Sequence, residues 1–141
     1  MRRSISGSLA LVLALALGAS GCDDGDTTTT PTPTDPAPTV TETFAGTLTP
    51  NGAAVFTFTV TATGTVTATL RNVLPNNTVQ VGVGLGVWNG VLCQILLSND
   101  RAQQDTTVTG QVNAAGTLCA RIYDVGQLTG PTTFEIVVIH P

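Results

Sequence analysis

Lysine is absent from this chain, and all five of its positive charges are arginines. Arg2 and Arg3 lie at the N-terminus, which leaves Arg71, Arg101 and Arg121 scattered over the rest. Three separate arginines assemble no basic patch, so nucleic acid is excluded as a partner and so is electrostatic docking on a membrane surface. Histidine occurs once, as His140, far from the cysteines, and such a set makes no zinc site. Carboxylates for glycoside hydrolysis would have to come from Glu42, Asp100, Asp105, Asp124 and Glu135, whose spacing brings no two together. Ser98 is the single serine after residue 40, so Ser98, His140 and an aspartate form the one formal triad; the plainer reading is a loop serine and a fraying terminal histidine. No helical period follows Gly82, Gly84 and Gly86, which removes the phosphate-binding helix a dinucleotide fingerprint requires. The expectation is a non-catalytic protein with no cofactor.

What is present begins with a leader. Arg2 and Arg3 supply a positive start, and Leu9–Leu17 is an apolar run too short to span a bilayer comfortably. Ala19-Ser20-Gly21-Cys22 then sets small residues directly before a cysteine. This pattern resembles the lipobox of bacterial lipoproteins, with Ala19 where leucine is usual. The resemblance implies a signal peptide over 1–21, cleavage before Cys22, and a diacylglyceryl group on its sulfur with an acyl chain on its amine. Three acyl chains anchor a protein stably in a lipid bilayer, so the chain is expected to be exported and membrane-bound, facing the periplasm or the cell exterior.

Residues 22–40 read as a tether. After the acidic Asp23-Asp24 the stretch is rich in Thr and Pro and has almost nothing to bury, so it cannot offset its own ordering entropy. Pro31, Pro33, Pro36 and Pro38 bias it towards extended geometry with a reach of roughly 40–50 Å.

From Thr41 the hydrophobic period is two. Phe56, Phe58 and Val60 alternate with threonines, as do Val66, Ala68 and Leu70, while Val79 to Val87 alternate with Gln80, Gly82, Gly84 and Gly86. Each run has one apolar face and one polar or small face, the mark of half-buried antiparallel strands. Pro50-Asn51-Gly52, Thr63-Gly64, Pro75-Asn76-Asn77 and Asn89-Gly90 punctuate the runs, and Asn-Gly between apolar runs signals a hairpin. Further strands are expected near Val91–Leu97, Thr106–Val112, Thr117–Asp124 and Thr132–His140. About eight short strands over 41–141 predict an all-β, two-layer antiparallel β-sandwich. The closing segments Ala115–Asp124 and Gly130–Val138, with Phe44–Leu48, Ala54–Val60 and the hairpin around Trp88-Asn89-Gly90, resemble the bacterial pre-peptidase C-terminal domain, and that resemblance implies a jelly-roll-like sandwich. Domains of that family are appended to secreted enzymes and are not themselves catalytic; some bind collagen or polysaccharide, and some bind calcium through acidic residues.

With Cys22 assigned to lipid, Cys93 and Cys119 remain. In an exported protein they most simply form one disulfide, the alternative being two free buried thiols. Two features remain as binding candidates. Gly82, Gly84 and Gly86 flatten one strand face beside Trp88, the chain's single tryptophan, and could either receive a sugar ring or extended chain or admit a neighbouring strand. The polar stretch Ser98–Asp105 could hold calcium through Asn99, Asp100 and Asp105, or simply be a solvated loop. The sequence thus points to a membrane-anchored β-sandwich acting as a binding or structural module of the cell envelope. Its partner would be a polysaccharide or an envelope protein, and the alternative is a surface-exposed adhesive domain.

Overall fold

The structure, a computed structural model, describes residues 38–141; the leader, Cys22 and most of the tether lie outside the described residues. Eight strands follow in order: β1 Val40–Leu48, β2 Ala53–Val60, β3 Gly64–Leu74, β4 Val81–Trp88, β5 Cys93–Ala102, β6 Thr107–Val112, β7 Gly116–Asp124 and β8 Thr132–His140. They form two four-stranded sheets, β1-β8-β3-β6 and β2-β7-β4-β5, in which every pairing is antiparallel. This is the predicted sandwich, with the jelly-roll strand order.

The alternation in the sequence explains which side each sheet buries. Val66, Ala68 and Leu70 of β3 and Phe134, Ile136 and Val138 of β8 point inward from the first sheet. Phe58 and Val60 of β2, Val81, Val83 and Leu85 of β4, and Ala120 and Ile122 of β7 answer from the second. Each large side chain removed from water this way contributes about 1.5–3 kcal/mol before entropy is counted. Phe44 of β1 stacks on Phe56 of β2 with ring centroids 4.9 Å apart, and Phe56 meets Phe134 edge-on at 6.0 Å, which closes one lateral edge of the sandwich. The other edge, between β5 and β6, stays partly open as a groove of 220 Å³ lined by apolar residues including Val66, Leu85, Val87, Leu97, Val112 and Leu118.

Two expectations about local structure need correction. Asn51-Gly52 does not make a hairpin, because β1 and β2 belong to different sheets; β4 and β5 are the one pair of consecutive strands that hydrogen-bond to each other. The turn is instead a crossover tied to the end of β7. Asn51, in the left-handed region at φ 57°, donates its backbone N–H to Asp124 Oδ2 at 2.8 Å, and Asp124 N–H donates to the Gly52 carbonyl at 2.9 Å. Second, Ser98–Ala102 is strand, not loop. β5 is an edge strand, so one side of it is solvated and polar side chains are accommodated without breaking the pairing. Its register on β4 shifts twice, between Val81 and Val83 and between Leu85 and Gly86.

Candidate functional site

The outer face of the second sheet is built by β7 and β5 closing over β4 from its two sides. The register sets Gly82 opposite Tyr123, Gly84 opposite Arg121 and Gly86 opposite Cys119. A Cβ at Gly82 would collide with the Tyr123 ring, and one at Gly86 would collide with the Gln94 carbonyl of β5. At Gly84 it would press on Ile95 Cγ2 and the Leu97 carbonyl, both at 3.1 Å. All three glycines are buried. The sequence therefore reads correctly as a strip without side chains, but the open ligand strip is not what forms. Neighbouring strands fill it, which is the commoner use of glycine within a strand.

The filling has a purpose visible at Gly86. Cys93 and Cys119 form a disulfide although β4 separates their strands. Two strand spacings amount to about 9.5 Å, yet the two Cα atoms are 5.8 Å apart. The start of β5 must therefore curl over the outer face of β4, and only a residue without Cβ admits it there. Trp88 sits at the end of the same strand, opposite Cys93, and is partly exposed.

At Gly82 the side chain laid across β4 is Tyr123, whose hydroxyl donates to Asp100 Oδ1 on β5. Burial first, and then the carboxylate of Asp100, hold the Tyr123 phenol above its ordinary pKa, so it remains a donor at neutral pH. The Arg121 guanidinium lies 5.2 Å from the centroid of that ring, within cation–π range. Asp100 thus has a partner in the fold. Asn99 Oδ1 accepts the Arg101 backbone N–H at 2.9 Å, and Asp105 faces Arg71 at 3.6 Å. The three calcium candidates are turned to three different partners. Among the described residues no three His, Cys, Asp or Glu side chains gather as a metal site.

The formal triad is likewise not assembled. Ser98 lies beside Tyr123 on the outer side of the second sheet. His140 does not fray: it is 2% exposed in β8, its ring centroid is 5.1 Å from that of Phe58, and its Nε2 is 3.1 Å from Glu42 Oε1 on β1. It belongs to the inner layer, not to a site with Ser98.

What the fold does present is apolar surface. Among the described residues nine large hydrophobic side chains are exposed, and five of them belong to the β4–β5 hairpin: Val91 and Leu92 at its tip, and Val87, Leu96 and Leu97 along the groove between the sheets. Asn89 shapes its tip by accepting the backbone N–H groups of Val91 and Leu92, each at 2.9 Å. Between tip and sheet is a shallow depression of 410 Å³ lined by Val55, Trp88, Val91, Leu92, Cys93 and Arg121, together with Ala53.

No known family matches the chain, and no curated protein does. Among solved structures it is similar in fold to the crystal structure of Aeromonas hydrophila PliG, a periplasmic lysozyme inhibitor of g-type lysozyme. The TM-score is 0.51 and the identity 15%, over 71% of this chain and 84% of that one. The likeness is one of fold.

Sequence reasoning had singled out Trp88 and the glycines but missed Arg121, Tyr123 and the exposed Val91-Leu92 tip. The signal for the tip was available: Val91-Leu92 directly follows Asn89-Gly90, and a hairpin end is solvent-exposed whatever its residues. Arg121 and Tyr123 could be found only from the β4–β7 register, which joins residues more than thirty positions apart.

Proposed function

We propose that this protein is an exported lipoprotein, held to a membrane through acylated Cys22, whose β-sandwich is a non-catalytic module that binds another protein of the cell envelope on the β4–β5 hairpin face. The observation that carries the binding face is the concentration of exposed apolar side chains on one disulfide-pinned hairpin. Exposed Val and Leu on a monomer cost solubility, and clusters of them mark interaction surfaces. The pin matters because a partner then meets a preformed surface and less ordering entropy is lost on binding. Two likenesses support the reading. The pre-peptidase C-terminal domains that residues 41–141 resemble are non-catalytic, and PliG, similar in fold, is described as a periplasmic inhibitor of a lysozyme. A polysaccharide ligand fits less well. Sugar hydroxyls need hydrogen-bonding groups beside the aromatic ring, and among the described residues Arg121 is the one charged side chain lining the Trp88 depression.

Site-specific photo-crosslinking in intact cells tests the face. A photoreactive residue at Leu92 or Leu96 is expected to yield a discrete protein adduct, whereas one at Thr67 on the first sheet yields none. Equal adducts from both sheets, or no protein adduct from either, would refute the proposed face. The anchor is tested separately. Cys22→Ala should abolish incorporation of labelled fatty acid and release the protein from membranes, and retention after washing would remove the lipoprotein reading.

A further inference from the structure

We infer that the partner presents a carboxylate flanked by apolar side chains, and that Arg121 is the group that reads it. The inference rests on the β4–β5 face being the binding surface and specifies what that surface selects. Positive charge is scarce, so each arginine can be followed individually. Among the described residues Arg71 faces Asp105 at 3.6 Å, whereas neither Arg101 nor Arg121 has a carboxylate within ion-pair distance; Arg101 is exposed in edge strand β5, and Arg121 alone of the two lines the Trp88 depression. Arg121 is also held in place. Val55 on β2 and Gly84 on β4 flank it in the sheet, and its guanidinium lies over the Tyr123 ring, which Asp100 fixes across Gly82.

A guanidinium held this way has lost part of its rotamer freedom before any ligand arrives, and its planar fork matches a carboxylate in two parallel hydrogen bonds. Its surroundings strengthen the effect. The depression is walled by Val55, Trp88, Val91 and Leu92, so an acidic group entering with apolar neighbours would be desolvated beside a fixed positive charge. The chain as a whole carries a formal charge of −4. A positive charge among the apolar residues lining this depression therefore sets which sign of charge is admitted, and an opposing lysine or arginine would meet repulsion.

The test uses the full chain, purified in detergent, and the fluorescence of Trp88, its one tryptophan. The probes are acetyl-Leu-Glu-Leu-amide and acetyl-Leu-Gln-Leu-amide, which differ only in the central charge. The glutamate peptide should shift the emission saturably and bind roughly tenfold more tightly than the glutamine peptide. In Arg121→Gln the two peptides should bind alike. In Arg121→Glu the preference should pass to acetyl-Leu-Lys-Leu-amide, a gain that misfolding cannot imitate. Equal binding of the glutamate and glutamine peptides by the unmodified chain would overturn the carboxylate inference while leaving the apolar face standing. No saturable response to either would overturn both.

Discussion

The two sheets have the same number of strands and very different outer faces. The first turns Thr65, Thr67 and Thr69 of β3 and Thr107 and Thr109 of β6 outward, with Thr69 and Thr107 sharing a hydroxyl hydrogen bond of 2.9 Å and Gln111 donating to Thr65 at 2.8 Å. These are short, β-branched, polar side chains that suit a pleated surface and offer a partner little to grip. The second sheet carries the disulfide, the three buried glycines, Trp88, Arg121 and Tyr123, and the exposed hairpin. One face meets the general demand for a soluble strand surface. The other departs from it in several ways at once, and such departures concentrate where a protein does something besides fold.

If that contrast is real, perturbing the second sheet should cost more than perturbing the first. The largest effect is expected from the disulfide. Replacing both Cys93 and Cys119 by serine should lower unfolding free energy by about 3–4 kcal/mol in denaturant titrations, since the closed loop is 26 residues long. Hydrogen exchange should accelerate more in β5 than in β3 or β8; uniform acceleration would mean that the bridge stabilises the whole sandwich and not the hairpin. Next comes Gly86→Ala, expected to cost roughly 2–3 kcal/mol in thermal melts because the obstacle is backbone. Gly116→Ala, with nothing within 4 Å of its Cβ position, is the control and should stay within about 0.5 kcal/mol.

A smaller effect is expected at Asp124. Its carboxylate accepts four backbone N–H groups, from Asn51, Gly126, Gln127 and Leu128, at 2.8 to 3.1 Å. Those bonds, Asn51's above all, hold its pKa below the ordinary carboxylate value. A lowered folded-state pKa means that the stabilisation is complete above the unfolded-state pKa and disappears as pH falls through the folded one. Asp124→Asn should therefore destabilise at neutral pH, by no more than about 1 kcal/mol because water screens the carboxylate. The gap to the unmodified protein should close in acid, and a gap independent of pH would show that the charge is not what matters. The smallest effect should come from the first sheet: Thr69→Ala is expected to change stability by less than about 0.5 kcal/mol. A larger loss there would weaken the contrast between the faces.

The same contrast explains what could be read from the sequence. Strands β2, β3 and β8 were legible because Phe58, Val66 or Ile136 has its burial dictated by local alternation alone. The disulfide was legible because, on the reading of Cys22 as a lipid anchor in an exported chain, the two remaining cysteines have few other uses. The polar half of β5 was not, since an edge strand tolerates the Ser, Asn and Asp that a loop also prefers. Nor was the role of Gly82, Gly84 and Gly86, because what fills a strip without side chains depends on which strand arrives beside it. His140 looked free to fray because its partner, Glu42, is 98 residues away. Long-range pairing decides each of these, and local pattern carries no trace of it.

The pairing of β1 with β8 has a further consequence, in time rather than space. Val40 lies opposite His140 and Leu48 opposite Thr132, so the first strand has no partner in its sheet until the last has been made. Closing a loop of about a hundred residues is entropically slow, and topologies dominated by such contacts fold in milliseconds to seconds. The β4–β5 hairpin, by contrast, needs only its own turn and can form within microseconds. A growing chain would hold that hairpin early, with Gly84 and Gly86 already covered by β5 and Gly82 still bare, and wait for β7 and then β8 to cover the rest. Refolding in which β4–β5 amides gain protection well before those of β1 would record that order.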